Sequence, residues 1–218
     1  MITILQHGEH EPAGTVEETL NAESASFSVI RLYEGDPIPT EPPEKLIILG
    51  GQMSVNDERE FPFLAGEKQL VKKAVARGST VLGICLGAQM IAAACGKTVY
   101  AGEKELGWRT ITGCHAPGQR FFPGEFDVFH WHKETFDLPE GARLLATGKA
   151  VKNQAFMINN ALGVQFHPEV TKEIIAFWAK DLGADERTAI LKDSEEKLDE
   201  NRFLCNAIVH VFLAGWTW

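Results

Sequence analysis

The sequence is short of positive charge and of long apolar runs, and each shortage excludes a class of protein. Lys and Arg together number 21 against 30 Asp and Glu, so the formal net charge is −9, and no basic run occurs. A nucleic-acid-binding protein would carry a basic patch or stripe. No apolar run approaches the roughly 18 residues of a membrane span, and the first residues lack the positive charge of a secretory signal. We therefore expect a cytoplasmic protein that binds neither nucleic acid nor membrane.

Cysteine is scarce as well, with four in 218 residues and no C-x-x-C pair. Neither a disulfide framework nor a zinc knuckle is predicted, and no cofactor is indicated. A hydrophobic fraction of 44% with 23% charged residues is typical of a soluble globular protein. The length suits one domain with a substantial core, so we expect residues 1–218 to form a single domain.

Strand and helix patterns alternate in the first part of the chain. Apolar strands are predicted at 2–6, 26–31, 45–49 and 80–84. Helices are predicted to begin near Thr15, which stands with Glu18 at capping-box spacing, and to span 64–77 with Gly78 as the cap. This order predicts a parallel sheet covered on both faces. Ligands of such sheets bind at the carboxyl ends of the strands, where Gly50, Gly51 and Cys85 lie.

The second part of the chain changes pattern. Short strands are predicted at 109–112, 126–130, 143–146, 155–158 and 162–165, with Asn159 and Asn160 as a hairpin turn. Helices are predicted near 172–182, 185–198 and 202–213. These patterns predict a mixed or antiparallel extension of the sheet, followed by a helical C-terminal segment over 171–218. The apolar end of that segment, 212–218, is expected to dock against the domain, although a second subunit is an alternative that would make the protein an oligomer.

The stretch around Cys85 joins an apolar strand directly to an alanine-rich helix. Gly83 and Gly87 lie two residues either side of Cys85, which is the spacing of a nucleophile elbow. At the head of a helix, free N–H groups and the helix dipole favour a thiolate. The N–H of Leu86 would then point at an oxyanion formed by attack at Cys85. A buried structural cysteine in a tight turn is the alternative interpretation.

Two longer motifs resemble one family. The run Gly83-Ile84-Cys85-Leu86-Gly87-Ala88-Gln89 resembles the catalytic motif of class I (triad) glutamine amidotransferases, and Gly163-Val164-Gln165-Phe166-His167-Pro168-Glu169 resembles the second half of the same site. The resemblance is best over about 45–170. It implies a flavodoxin-like three-layer α/β sandwich with a central, mostly parallel sheet. It also implies a catalytic triad of Cys85, His167 as general acid and base, and Glu169 orienting the histidine.

Further site residues follow from the same resemblance. Gly50-Gly51-Gln52-Met53 resembles the end of the oxyanion-hole strand, so the N–H groups of Gly51 and Leu86 would hold the oxyanion, with Gly50 and Met53 beside the substrate. The sequence departs from the family at Gln52, where proline is common. Gln89, one helical turn after Cys85, matches a glutamine that contacts the amino-acid end of the substrate.

The segment His130-Trp131-His132 lies where partnered amidotransferases carry a shorter segment whose backbone helps to bind glutamine. Trp131 and His132 are therefore candidate substrate-binding residues. A His-x-His pair on a strand is also half of a metal site, but no third ligand stands at matching spacing, so no metal is predicted. Glu105-Leu106-Gly107-Trp108 resembles a segment of stand-alone members, where Trp108 fits either the core or the wall of a substrate pocket.

The resemblance implies an enzyme that hydrolyses the γ-carboxamide of glutamine through a γ-glutamyl thioester on Cys85 and releases ammonia. The chain carries no synthetase domain to consume that ammonia, so either an acceptor would belong to a separate synthetase subunit or there is none. A γ-glutamyl peptide or γ-glutamyl amide hydrolase is an alternative, because the motifs describe only the acyl half of the substrate. A third interpretation is a binding or regulatory module without turnover, against which the intact triad argues.

Overall fold

The computed structural model describes residues 1–114, 122 and 124–216. In this part of the chain the strands form one sheet in the order β2-β1-β3-β4-β9-β8-β7-β5-β6. The strands are β1 Ile2–Gln6, β2 Phe27–Arg31, β3 Lys45–Ile48, β4 Thr80–Ile84, β5 Val99–Gly113, β6 Glu125–Phe136, β7 Arg143–Gly148, β8 Ala155–Ile158 and β9 Ala161–Val164. The first four strands and β9 run parallel, and the pairs from β9 onward to β6 are antiparallel.

Helices cover both faces of the parallel part. They are α1 Thr15–Ala22, α2 Phe63–Arg77, α3 Leu86–Ala94, α4 Lys172–Trp178 and α5 Ala184–Ala214. Successive strand residues point to opposite faces, so Ile4 of β1 packs with α1 and α5, whereas Leu5 packs with α2 and α3. The expected α/β sandwich of three layers is therefore confirmed. None of the helices in the described ranges combines the length and apolarity needed to cross a bilayer.

The β extension is antiparallel, one of the two arrangements that the sequence predicted, but its first two strands are longer than the sequence pattern suggested. β5 and β6 pair along most of their length and interrupt their register between Ala101 and Glu105. Exposed polar residues interrupt the apolar residues of both strands because one face of this part of the sheet contacts solvent. A search for apolar runs therefore finds only short pieces of each strand. The hairpin turn at Asn159 and Asn160 is confirmed, with Asn159 at φ 48°.

Two helix predictions are corrected. Thr15 does not cap α1, because Gly14 occupies the cap position and its φ of 50° suits glycine. The two helices predicted at 185–198 and 202–213 are one helix, α5, since no glycine or proline interrupts residues 184–214. Phe212 near its end and Trp216 just beyond it are both buried and belong to the core on this face of the sheet. Residues 217 and 218 of the predicted helical segment lie outside the described residues.

Candidate active site

The turn at Cys85 has the geometry of a nucleophile elbow. β4 ends at Ile84, α3 begins at Leu86, and Cys85 between them takes a φ of 51°, which is rare for a residue with a side chain. Both neighbouring glycines are required by close contacts. A Cβ on Gly83 would lie 2.5 Å from the Gly87 carbonyl oxygen, and one on Gly87 would lie 2.2 Å from the Ile48 carbonyl oxygen. The glycines therefore allow α3 to start directly against the sheet, with the Cys85 sulfur at its N-terminus.

The segment after β9 brings the other two triad candidates to the same place. β9 lies parallel to β4 in the sheet, so both strands end at the same edge. Nδ1 of His167 is 2.7 Å from Oε1 of Glu169, and both side chains are buried. The backbone N–H of His167 donates a hydrogen bond to the Phe129 carbonyl at 2.8 Å, and this bond ties the segment to β6. Cys85, His167 and Glu169 thus meet at one end of the sheet.

Charge at this site centres on the His167 imidazole. Burial alone would lower its pKa, but the Glu169 carboxylate and the Cys85 sulfur outweigh burial and raise the pKa from 6.5 to about 10. The sulfur is close enough to act on this pKa, yet Nε2 of His167 makes no hydrogen bond of normal geometry in the described part of the chain. We therefore attribute the coupling to charge. The ring is protonated at neutral pH and has a proton to give.

The candidate oxyanion hole lies between β3 and α3. Across the described ranges, neither the N–H of Gly51 nor that of Leu86 donates to a protein acceptor. A Cβ on Gly51 would lie 2.6 Å from a Leu86 methyl carbon and 2.7 Å from the Met53 sulfur, so a larger residue there would displace the ends of these two side chains. Gln52, which replaces the usual proline, donates from Nε2 to the Glu11 carboxylate at 2.9 Å. This hydrogen bond restrains the turn that the proline would otherwise stiffen.

His7 is a site residue that the sequence did not reveal, because histidines in a loop are usually solvated. It is buried, with Nδ1 3.0 Å from the Gly50 carbonyl oxygen and Nε2 2.9 Å from a carboxylate oxygen of Glu67. Burial would lower the pKa of His7, but Glu67 outweighs burial and raises it. The imidazolium therefore holds the backbone of Gly50 beside the predicted oxyanion hole. Glu67, on α2, gave no signal in the sequence either.

Gln89 is buried in the wall of the site. Its Nε2 donates to the Glu134 carbonyl and to Oε1 of Gln165, both at 3.2 Å. Gln165 in turn places Nε2 3.7 Å from the Cys85 sulfur. Gln165 belongs to the second motif, but only the parallel pairing of β4 and β9 shows that it contacts the nucleophile.

A cleft of about 520 Å³ opens over these residues. The predicted site residues Gly51, Met53, Cys85, Gln89, Trp131, His132 and His167 all line it. Gly50 lies beneath the cleft, and a Cβ added to Gly50 would lie 3.0 Å from the His167 ring. Trp108 does not line the cleft, because its ring is in the core and its N–H donates to Ser194 at 2.9 Å.

The C-terminal helices complete the site. The Trp178 ring, at the end of α4, meets the His167 ring edge-on with centroids 4.9 Å apart, and its N–H donates to the His10 carbonyl at 2.8 Å. Asn201 of α5 is buried, and its Nδ2 donates to the Pro168 carbonyl at 3.0 Å. The role of this segment could not be read from the sequence, since each contact joins positions that are far apart in the chain.

Comparison with known proteins shows the family of this chain. A family model described as glutamine amidotransferase class-I matches residues 15–174. The chain belongs to the class I glutamine amidotransferase family. The match begins about 30 residues earlier than the motifs indicated.

Relatives of this amidotransferase-family chain include the glutamine amidotransferase-like protein YfeJ of Salmonella typhimurium, which is 32% identical over 78% of this chain and 75% of its own length. The crystal structure of a glutamine amidotransferase from Thermotoga maritima is 30% identical, covers 97% of this chain and 96% of its own, and has a TM-score of 0.88. This chain shares its flavodoxin-like fold with the Thermotoga maritima structure. A shorter match is to GMP synthase [glutamine-hydrolyzing] of Yarrowia lipolytica, which is 33% identical over 64% of this chain and 27% of its own length. Another is to Gamma-glutamyl peptidase 4 of Arabidopsis thaliana, which is 33% identical over 49% of this chain and 46% of its own length.

Proposed function

We propose that this protein hydrolyses the γ-carboxamide of glutamine to glutamate and ammonia, with Cys85 as nucleophile. The observation that carries the proposal is the meeting of Cys85, on its elbow, with a buried His167 that Glu169 holds at 2.7 Å. A nucleophile, a proton-transfer group and an orienting carboxylate in that order are the requirements of acyl transfer. Family membership supports the same reaction class.

The steps follow from the positions of these groups. The Cys85 thiolate attacks the γ-carbonyl carbon, and the oxyanion that forms accepts hydrogen bonds from the N–H groups of Gly51 and Leu86. As the carbon–nitrogen bond breaks, Nε2 of His167 gives its proton to the leaving nitrogen, which departs as ammonia. A γ-glutamyl thioester remains on Cys85. His167 then takes a proton from water, whose oxygen attacks the thioester carbonyl. The carbon–sulfur bond breaks, glutamate leaves, and the Cys85 thiolate is restored beside a protonated His167.

A second candidate, hydrolysis of γ-glutamyl peptides, is favoured by the size of the cleft. Its volume of about 520 Å³ lies within the range of about 300–1,000 Å³ that holds drug-sized ligands, so a free amino acid would fill only part of it. His10, Phe177, Trp178 and Lys180 line the part of the wall that the C-terminal helices and the N-terminal loop supply. A leaving group larger than ammonia would have room there. The relative named γ-glutamyl peptidase agrees with this candidate.

If the ammonia is used, we propose that a separate synthetase subunit supplies its acceptor. The relative named GMP synthase is about four times as long as the part that this chain matches, since the matched part is 27% of that enzyme. A separate subunit would do for this chain what the unmatched part of such an enzyme does for its matched part. Copurification of a synthetase with this chain from its own cells would support this proposal, and failure to find one would favour a stand-alone hydrolase.

The deciding experiment compares glutamine with γ-glutamyl dipeptides as substrates of the purified protein. Ammonia and released amino acid are measured for wild type, for Cys85→Ala and for Cys95→Ala, which changes a cysteine at the far end of α3. We expect turnover by wild type and Cys95→Ala, and a loss of at least about 10³-fold in Cys85→Ala, because the acyl-enzyme cannot form. Faster release from dipeptides would select the second candidate. Full activity in Cys85→Ala would overturn both.

A further inference from the structure

We propose that Glu105, His130 and His132 form a binding site for a divalent transition metal ion of the zinc class. The spacing of the two histidines offers only two ligands. The third ligand comes from the neighbouring strand, because β5 pairs with β6 in a register that sets Glu105 directly opposite His132. All three side chains are buried, and no role in the proposed hydrolysis calls for Glu105 or His130.

The three donor atoms have the separations of metal ligands. Nδ1 of His130 lies 3.2 Å from Nε2 of His132, and Oε2 of Glu105 lies 3.1 Å from that Nε2 and 3.6 Å from that Nδ1. Zinc binds imidazole nitrogen and carboxylate oxygen at about 2.0–2.2 Å, which sets ligands about 3.3–3.5 Å apart in a tetrahedron. These separations place a point just above the triangle at about 2.0–2.2 Å from all three atoms. Two histidines and one carboxylate are a common ligand set for zinc, with water in the fourth position.

When both histidine rings are neutral, the hydrogen bonds around the cluster leave lone pairs facing one another. Nδ1 of His132 lies 3.1 Å from the Glu134 carbonyl oxygen, which can only accept, so this nitrogen carries the hydrogen. In the neutral ring, Nε2 of His132 then presents a lone pair towards the Glu105 carboxylate, which also has only lone pairs to offer. A hydrogen on Nδ1 of His130 can be donated either to Nε2 of His132 or to the Glu105 carboxylate, but not to both. A cation between the three atoms satisfies all of them.

Neighbouring groups hold Glu105 and His132 in place, and two buried polar atoms beside the cluster lack a partner. Nε2 of Gln154 donates to Oε2 of Glu105 at 2.9 Å, and the Glu134 carbonyl fixes the ring of His132, as outer partners of a metal site do. Nε2 of His130 and Oε1 of Gln154 are buried with no hydrogen-bond partner in the described ranges.

The place of this site in the fold indicates its consequence. The metal would join β5 to β6 next to the register shift between Ala101 and Glu105, and His132 also lines the cleft. β6 continues to Glu134, whose carbonyl receives the Gln89 side chain. A bound ion would therefore stiffen the wall of the cleft on the side of Gln89.

The test must separate this site from the Cys85 and His167 pair, which also offers soft ligands. We would add zinc to the Cys85→Ala protein, dialyse it and measure zinc per chain, and record the visible spectrum with Co²⁺ in place of zinc. The expected result is one ion per chain, a rise in melting temperature, and a tetrahedral Co²⁺ spectrum without a thiolate band. Glu105→Gln, which keeps the shape of the side chain, should weaken zinc binding at least tenfold in the same Cys85→Ala background.

A control variant is His210→Gln, which removes a histidine from an exposed pair with Glu23 and should bind zinc as its parent does. His130→Asn gives a second test of the ligand set if the first variant folds poorly. Absence of zinc from the folded Cys85→Ala protein would overturn the proposal. So would binding that Glu105→Gln and His130→Asn leave unchanged, or binding that only proteins with Cys85 show.

Discussion

Nδ1 of His7 lies 3.0 Å from the carbonyl oxygen of Gly50, so a buried imidazolium at the end of β1 holds the backbone that precedes the candidate oxyanion hole. The charge is kept in place by Glu67 of α2, which contacts the other ring nitrogen. Neither residue reaches a substrate position. Their contribution is to fix where the N–H of Gly51 points, and an oxyanion hole is effective only when its donors are already in place.

Glu67→Gln tests this arrangement through stability. Removing one member of a buried ion pair leaves the other charge uncompensated, so we expect a loss of about 3–5 kcal/mol in the free energy of unfolding near pH 6. The pKa of His7 is raised above 6.5 in the folded protein. Its contribution is therefore complete below pH 6.5 and is lost as the pH rises through the raised pKa. Urea denaturation at increasing pH should show the difference in free energy of unfolding between wild type and Glu67→Gln becoming smaller.

Glu58→Gln is the control for this measurement. Glu58 pairs with Lys68 at the surface, where its side chain is 43% exposed, and such pairs contribute about 0–1 kcal/mol. A Glu67→Gln protein as stable as Glu58→Gln would show that His7 is neutral in the folded chain and that Gly50 is held by other contacts.

Glu169→Gln should change the pH profile of the reaction. With Glu169 in place the pKa of His167 is about 10, so the proton needed by the leaving nitrogen is retained well into the alkaline range. Without the carboxylate the pKa falls towards 6.5, and the alkaline limb of kcat/KM should move to lower pH. We also expect kcat to fall about 10²–10⁴-fold. Initial rates of glutamine hydrolysis from neutral pH to about 10 provide the measurement.

Glu173→Gln is the matched control, because this carboxylate lies in the first turn of α4 and contacts no group of the triad. Its profile should overlay that of the wild type. An unchanged alkaline limb in Glu169→Gln would mean that a different group donates the proton.

The parts of the site that are local in the chain could be predicted from the sequence, and the parts built by distant contacts could not. Gly83, Cys85 and Gly87 specify a turn through their own steric needs, so the elbow is readable without a structure. His7 contacts Glu67 across 60 positions, and Glu105 meets His132 only through the register of β5 with β6. No periodicity or spacing records such pairings, because they depend on the topology of the whole sheet.

Trp178 should position the His167 ring through packing. Trp178→Ala removes the edge-on contact at 4.9 Å and the hydrogen bond to His10, so the imidazole gains freedom to leave its productive orientation. We expect kcat to fall by up to about 10²-fold, since small displacements of a reacting group are costly. Trp178→Phe keeps an aromatic edge against the imidazole and should retain most of the rate.

The control for Trp178 is Phe203→Ala, which removes an aromatic side chain that is 77% exposed on α5. Steady-state kinetics and thermal unfolding of the three variants distinguish a local effect on the histidine from a general loss of packing. Equal rates in Trp178→Ala and wild type would show that Glu169 alone orients the ring.

Asn201 connects the long C-terminal helix to the segment that carries His167. Its Nδ2 donates to the Pro168 carbonyl at 3.0 Å and to the His167 carbonyl at 3.5 Å. Asn201→Asp keeps the shape but replaces the donor with an acceptor, which turns two attractive contacts into repulsive ones. We expect a loss of about 1–3 kcal/mol in stability and a lower kcat with KM little changed, because the histidine backbone shifts while the substrate wall does not.

Asn206→Asp separates this effect from a general effect of charge on α5. Asn206 lies on the same helix, and its Oδ1 accepts a hydrogen bond from the Thr19 hydroxyl at 2.7 Å, a role that aspartate can also fill. This variant should keep wild-type kcat. If Asn201→Asp also keeps it, α5 covers the sheet without positioning the triad, whereas a loss confined to Asn201→Asp makes the C-terminal helix part of the catalytic framework.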